Sequence, residues 1–310
     1  MSRVPFTILT GWLGAGKTTA LNAMLAAAHG RKIAVLVNEL GRISIDTQLI
    51  IGRGNDVLEL AGGCVCCSVD LKNDLWDGIG DIVARSQPDC VVLETTGIAE
   101  PAAILDGLVK VPAAVRDRIV PAGVICVVDA ESGGDAIARR DEAREQVESA
   151  DRVLLAKLDV ATPEAVRRCH ALLDAHAAPA ERASFPRDDA GALAMTAWVV
   201  EKRALRHHVD SAAPHHHGNQ LVAVTFVDDA PLLGDRVLAV LDTLGDRLVR
   251  AKGFVRLVGD RRGFVERAGI RTALTDVGAW HSGRSELVLI GDGLDEPTVQ
   301  RALWACRAGG

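Results

Sequence analysis

Apolar residues in the first part of the chain come in short, nearly continuous runs, separated by longer stretches with helical spacing. Runs rich in Val, Ile and Leu suit strands buried on both faces, and the stretches between them suit the helices that cover such a sheet. Strands are predicted at residues 4–9, 33–37, 57–60, 90–93, 119–128 and 152–155. Helices are predicted to begin at Lys17, near Val69, near Pro101, near Gly134 and after Thr162. At the last of these, Thr162-Pro163-Glu164 supplies an N-cap, a first-turn proline and a first-turn acid. Between Phe185 and Asn219 both periods dissolve into Pro, Asp, Ala and His, which predicts a linker or insertion. Beyond it, strands are predicted at 220–227, 247–258, 263–266 and 287–291, with helices at 231–244 and 296–306. The expected organisation is an α/β domain over 1–185, with a mostly parallel sheet flanked by helices. A linker or His-containing insertion follows over 186–219, and a smaller C-terminal α+β domain over 220–310.

Composition narrows what such a chain does. The 310 residues are 48% hydrophobic and 25% charged, enough for sizeable cores. A net charge of −6 argues against nucleic acid or anionic lipid as a partner, since both are held by clustered Lys and Arg. The apolar run before Gly11 is too short and wrongly flanked for a signal peptide, and no segment reads as a membrane span. Seven cysteines, three of them crowded into residues 64–67, fit a reducing compartment better than a disulfide framework, so a cytoplasmic location is expected. With no tyrosine and 3% aromatics, Val, Leu, Ile and Ala must fill the cores.

Three segments carry chemistry. Gly11-Trp12-Leu13-Gly14-Ala15-Gly16-Lys17-Thr18-Thr19 has the spacing of a phosphate-binding loop and lies between a predicted strand and a predicted helix. In such a loop the glycines let successive N–H groups face phosphate oxygens, and the helix N-terminus adds partial positive charge. Lys17 is then placed to bridge the β- and γ-phosphates, and the Thr18 hydroxyl to join a Mg²⁺ shell. Glu94, which ends the apolar run 91–93, is the candidate acid for that shell, and Gly97 can offer its N–H to the γ-phosphate. In Ala156-Lys157-Leu158-Asp159, Asp159 can accept from guanine N1–H and the exocyclic amine, a donor pair adenine lacks, while the Lys157 stem lies along the purine.

The third segment is Gly63-Cys64-Val65-Cys66-Cys67, which follows the strand 57–60 at the sheet edge where α/β proteins bind ligands. The thiolates of Cys64, Cys66 and Cys67 can converge on one soft or borderline cation and leave a fourth tetrahedral position open. A redox pair, Cys64 with Cys67, is the alternative. Cys90, Cys126, Cys169 and Cys306 fall in predicted buried elements and read as small hydrophobes, and His215 to His217 read as a solvated run or a metal relay.

Together these segments resemble the CobW-like family of P-loop GTPases, metallochaperone relatives of the urease and hydrogenase nickel-insertion GTPases. The resemblance also rests on Asn38-Glu39-Leu40-Gly41 with Ile45-Asp46, on Glu94-Thr95-Thr96-Gly97 with Glu100-Pro101, and on Arg250-Ala251-Lys252-Gly253-Phe254, Trp280 and Leu289-Ile290-Gly291. It implies GTP hydrolysis with Mg²⁺, Zn²⁺ or Co²⁺ at the cysteine motif, and delivery to a client metalloenzyme or a cofactor-synthesis protein. It also allows homo-oligomers. Lys17 and Glu94 are the expected catalytic groups, with Glu39 or Asp46 positioning the water. The chain departs from the family pattern at Leu40 and Arg42, where Phe and a second Glu are usual, and at Ala156, where a polar residue is usual. The competing expectations are an ATP-using kinase or ATPase with the same phosphate loop, and a nucleotide-binding regulatory or scaffold protein with low turnover and no metal transfer.

Overall fold

A computed structural model describes residues 3–27, 29–38, 57–60, 69–109, 113–201, 221–268 and 271–308. They fall into two compact units, one ending at residue 201 and the other beginning at residue 221.

The first unit is built on β1 (Val4–Thr10), β2 (Ile33–Asn38), β3 (Val57–Leu60), β4 (Cys90–Glu94), β5 (Ile119–Asp129), β6 (Arg152–Ala156) and β7 (Glu181–Ser184), in the order β3-β2-β4-β1-β5-β6-β7. Every pairing is parallel. The strands alternate with α1 (Lys17–Ala26), α2 (Val69–Ser86), α3 (Pro101–Val109), α4 (Ala113–Arg116), α5 (Gly133–Arg139), α6 (Asp141–Glu148), α7 (Pro163–His176) and α8 (Asp189–Val200). Period-two alternation divides the apolar residues between the sheet's faces. Phe6, Ile8, Leu36 and Leu93 pack with Trp76 and Ile79 of α2 and Ile104 of α3 on one face. On the other, Leu9, Val35, Val92 and Val127 pack with Leu21 and Met24 of α1 and Met195 and Val199 of α8. Each such fully buried side chain contributes roughly 1.5–3 kcal/mol of transfer free energy.

Five of the six expected strands in this unit run one residue further than their apolar runs, to Thr10, Asn38, Glu94, Asp129 and Ala156. The parallel ladder causes the extension. Backbone pairing continues past the last hydrophobic residue, as in Leu9 opposite Glu94 and Asp129 opposite Ala156, so polar side chains are fixed at the sheet's rim.

The short helices α4 and α6 are additions to the sequence reading, and β7 and α8 depart from it. β7 has no apolar run, because as an edge strand it pairs only with β6 and is half exposed. The stretch expected to open the linker instead forms α8. Its N-cap Asp188 accepts from the Gly191 N–H at 2.7 Å, and Met195, Thr196, Val199 and Val200 are buried. The Thr7 hydroxyl donates to the Val199 carbonyl at 3.3 Å, tying the helix to β1. Pro186, Asp188 and Gly191 carry the turn chemistry that masked this helix from its pattern.

The second unit is an antiparallel five-stranded sheet of β8 (Leu221–Asp228), β9 (Leu248–Leu257), β10 (Arg261–Ala268), β11 (Arg271–Ala279) and β12 (Ser285–Asp292), ordered β11-β10-β9-β12-β8. α9 (Gly234–Thr243) and α10 (Glu296–Trp304) supply Val237, Leu241, Val299 and Leu303 to a core with Val224, Phe226, Val255 and Leu289. β11 escaped the sequence reading because it is a largely exposed edge strand with Arg, Thr and Asp among its residues. Among the described residues no helix is long and apolar enough to cross a membrane.

Candidate nucleotide site

The phosphate loop owes its shape to glycine. Gly11, Gly14 and Gly16 have φ of 139°, 78° and 106°, a region that penalises side chains. Gly11 must also lie flat against β5, since a Cβ there would stand 2.2 Å from the Val127 carbonyl oxygen. α1 then begins at Lys17, so its unpaired N–H groups face the loop. Lys17 is 6% exposed. Its ammonium donates to the Gly11 carbonyl at 2.8 Å and the Trp12 carbonyl at 3.4 Å, curled over the loop where a phosphate would sit.

Glu94 arrives from β4, the strand beside β1, and its Oε1 accepts from the Thr18 hydroxyl at 2.8 Å. The loop that follows is fastened to β1. The Thr95 N–H donates to the Leu9 carbonyl and the Thr95 hydroxyl to that of Thr10, each at 3.0 Å. Gly97 presses on the phosphate loop so closely that a Cβ would lie 2.7 Å from the Leu13 nitrogen. The structure therefore brings Lys17, Thr18, Glu94 and Gly97 together around residues 11–19, with Ala15 buried and Thr19 exposed. A hydroxyl and a carboxylate in contact form a hard oxygen donor set, which suits Mg²⁺.

The second side of the site hangs from β6. Lys157 adopts a left-handed φ of 57°, and its carbonyl accepts from the Val160 and Ala161 N–H groups. This turn presents Asp159 to solvent. Ala156 adjoins the phosphate loop, 3.7 Å from where a Gly16 Cβ would stand. The Lys157 ammonium pairs with Asp129 Oδ2 at 2.9 Å, and Asp129 also accepts from the Glu131 N–H, the Ser132 N–H and the Ser132 hydroxyl.

Sequence reasoning missed Asp129, although its signal matches that of Glu94: an acid closing an apolar run at a strand's C-terminal end. It also missed Arg152, whose charge hid a fully buried role within β6. Arg152 donates to the Ala122 carbonyl at 3.1 Å and to the Trp198 carbonyl, with its guanidinium 5.3 Å from the Trp198 ring centroid. Gln146 of α6 was missed as well.

Glu39, Leu40, Arg42, Asp46, Cys64, Cys66, Cys67 and His215 to His217 lie outside the described residues. β3 ends at Leu60, level with Asn38 and therefore on the rim that carries the phosphate loop, four residues before Cys64. Among the described residues no group of three or more His, Cys, Asp or Glu side chains is arranged to hold a metal. Cys90, Cys126, Cys169 and Cys306 are free and buried. Burial pushes the Cys90 and Cys126 thiols up to about 12 and Cys169 to about 11, and raises Cys306. At neutral pH these four stay protonated and unreactive. The native, metal-free protein is thus expected to titrate at most three thiols rapidly with Ellman's reagent at pH 7.5, and all seven after denaturation. Replacing Cys64, Cys66 and Cys67 by Ser should remove the fast phase, and a fast phase surviving that replacement would contradict the assignment.

Fold and site define a P-loop nucleotide-binding protein of the parallel-sheet class. The family model described as CobW/HypB/UreG, nucleotide-binding domain, matches residues 5–182, and the cobalamin synthesis protein cobW C-terminal domain matches residues 221–307. The chain belongs to the CobW/HypB/UreG family. It is 34% identical over 275 residues to the zinc chaperone YjiA of Escherichia coli (strain K12), covering 84% of each chain. It is 29% identical over 350 residues to the zinc chaperone CobW of Pseudomonas aeruginosa, covering 98% of this chain and 91% of that one. A zinc-regulated GTPase metalloprotein activator of Dictyostelium discoideum is 27% identical over 210 residues, covering 55% and 43%.

Proposed function

We propose that this protein is a GTP-hydrolysing metallochaperone that takes Zn²⁺ or Co²⁺ as cargo at Cys64, Cys66 and Cys67 and delivers it to a client metalloenzyme or cofactor-synthesis protein. The observation that carries the hydrolase half is the 2.8 Å bond from Thr18 to Glu94 beside Lys17. The cargo half draws support from the cysteine trio and from relatives named as zinc chaperones across most of their length.

In this reading the triphosphate displaces the Gly11 and Trp12 carbonyls from the Lys17 ammonium, which then bridges the β- and γ-phosphates. Thr18 and Glu94 would hold Mg²⁺, which would supply positive charge to offset that of the phosphates. Backbone N–H groups of the phosphate loop and of the first turn of α1 donate to the phosphate oxygens, and Gly97 offers its N–H to the γ-phosphate. Asp159 and Lys157 take the guanine. Glu39 or Asp46 orients the attacking water, and alanine at the residue that does so should slow turnover. Loss of the γ-phosphate releases the contact at Gly97 and changes the affinity of the cysteine segment for its metal. The free thiols of Cys90, Cys126, Cys169 and Cys306 suit work in the reducing cytoplasm.

The test is equilibrium Zn²⁺ and Co²⁺ binding in the presence of GDP and of a non-hydrolysable GTP analogue. The two states should differ in metal affinity by about 5- to 150-fold, with the same factor appearing in nucleotide affinity when metal is added. Cobalt–thiolate absorption should vanish when the three cysteines become serine. Equal metal affinity in both nucleotide states would refute the coupling.

A further inference from the structure

Gln146 has no part in the site as described so far, yet it is fully buried and reaches into it. From α6 its carboxamide nitrogen donates to the carbonyls of Gly97 and Ala99, each at 3.1 Å. Those carbonyls belong to the loop after β4, whose other side rests on Leu13 of the phosphate loop at Gly97. The loop is thus clamped from two directions: by the phosphate loop and β1 on one, and by one glutamine on the other. The glutamine is itself anchored. α6 passes into β6 through a hydrogen-bonded connection, with the Ser149 N–H on the Glu145 carbonyl, Ala150 on Val147 and Asp151 on Val124. β6 ends at the turn that bears Lys157 and Asp159.

Among the described residues the Gln146 Oε1 has no hydrogen-bond partner. A buried amide that uses both donors on one loop and leaves its acceptor unmet is there for those two carbonyls. General packing in this layer is already supplied by Ala143 and Val147 on the same helix.

We propose that Gln146 is a positioning residue for nucleotide hydrolysis. It holds the Glu94-to-Ala99 loop where Gly97 can meet the γ-phosphate, and it joins that loop mechanically to the strand that carries the base-recognition turn. The inference rests on the hydrolase reading above and adds to it a residue that touches neither nucleotide nor metal. Without the two bonds the loop loses its outer support, so Gly97 is presented to the γ-phosphate less often, while the phosphate loop and the base turn still bind nucleotide.

The experiment compares the full-length protein with Gln146→Leu and Gln146→Met, which keep volume and remove both donors. First, amide hydrogen exchange is followed without nucleotide. The Thr95 and Ala99 amides, bonded to the Leu9 and Thr96 carbonyls, should exchange at least about tenfold faster in the variants, while those of β1 stay unchanged. Second, GTP turnover is measured with Mg²⁺, where kcat should fall about tenfold with KM and GDP affinity within about twofold. Loop exchange unchanged, or kcat unchanged in a folded variant, overturns the proposal. A packing role would move KM, kcat and thermal stability together and leave no such split, which also overturns it. Should both variants fail to fold, exchange in the wild-type protein decides. The loop and residues 144–147 should change protection together between GDP and a GTP analogue, and a loop that changes alone sinks the link. Wild-type protein that binds no GTP would defeat the hydrolase reading instead, and the nucleotide-free exchange arm would still judge the clamp.

Discussion

Asp159→Asn is expected to move the protein's preference from guanine to xanthine nucleotides, with GTP affinity falling by about 100-fold or more and XTP binding in its place. Guanine presents two donors, N1–H and the exocyclic amine, and a carboxylate can accept both. Two charge-assisted hydrogen bonds at roughly 1.5–3 kcal/mol each place the expected loss between about 10² and 10⁴. An asparagine accepts one donor and donates in turn, which matches xanthine's N1–H and C2 carbonyl. The proposed base turn is held in place by its own geometry. Lys157 is held in a left-handed conformation at φ 57°, its ammonium anchored to Asp129, so Asp159 stands exposed beside a fixed lysine stem. Asp129→Asn makes a control of different kind, because it loosens the lysine without touching the base edge. It should weaken GTP and XTP alike by about tenfold, since a charge pair with one member buried is lost and no hydrogen bond to the base changes. Direct titration with fluorescent GDP and XDP reads all three proteins, and unlabelled GTP and ATP then compete on the wild type for fluorescent GDP. ATP displacing it as well as GTP does from the wild type, or an Asp159→Asn protein that still prefers GTP, would remove the base assignment.

How much of this was legible in the sequence follows the strength of each local signal. The phosphate loop was readable because its chemistry requires glycine where φ is positive and a lysine at the helix start, and both requirements leave marks in one contiguous segment. Glu94 was readable because it ends a run of three apolar residues. Asp129 ends a longer run in the same way and went unnoticed, since its ligand is a side chain 28 residues away and not a substrate atom. Gln146 and Arg152 were illegible for a further reason. A polar residue within a charged helix such as α6, or at the polar start of β6, looks solvated until the fold shows which carbonyls surround it. The edge strands β7 and β11 share that opacity, because a strand paired on one side and partly exposed needs no apolar run. The helix α8 was obscured by the turn chemistry of its own N-terminus. Family resemblance covered the motifs but not these supports, which lie in the spaces between them.

Glu94→Gln is expected to reduce Mg²⁺-dependent GTP turnover by about 10²- to 10³-fold, the scale on which removing a group that stabilises developing charge is felt. The substitution keeps the side chain's length, and its amide oxygen can still accept from the Thr18 hydroxyl, so the 2.8 Å contact and the packing at a 3% exposed position survive. What it removes is negative charge beside the hydroxyl proposed to hold the ion. The Mg²⁺ concentration for half-maximal turnover should therefore rise by about tenfold or more, since hard divalent cations are held by carboxylate charge. GDP affinity measured in EDTA should stay within about threefold, because the phosphate loop and the Asp159 turn are untouched. Lys17→Ala separates this from a general loss of the phosphate site. It deletes the ammonium that now rests on the Gly11 and Trp12 carbonyls and should cost GTP affinity and turnover together, with or without Mg²⁺. A Glu94→Gln protein with the wild-type Mg²⁺ dependence would mean that the Thr18–Glu94 contact serves the sheet and not the nucleotide. The ion's acidic partner would then have to come from Glu39 or Asp46, leaving Glu94 as a buried brace between β4 and α1.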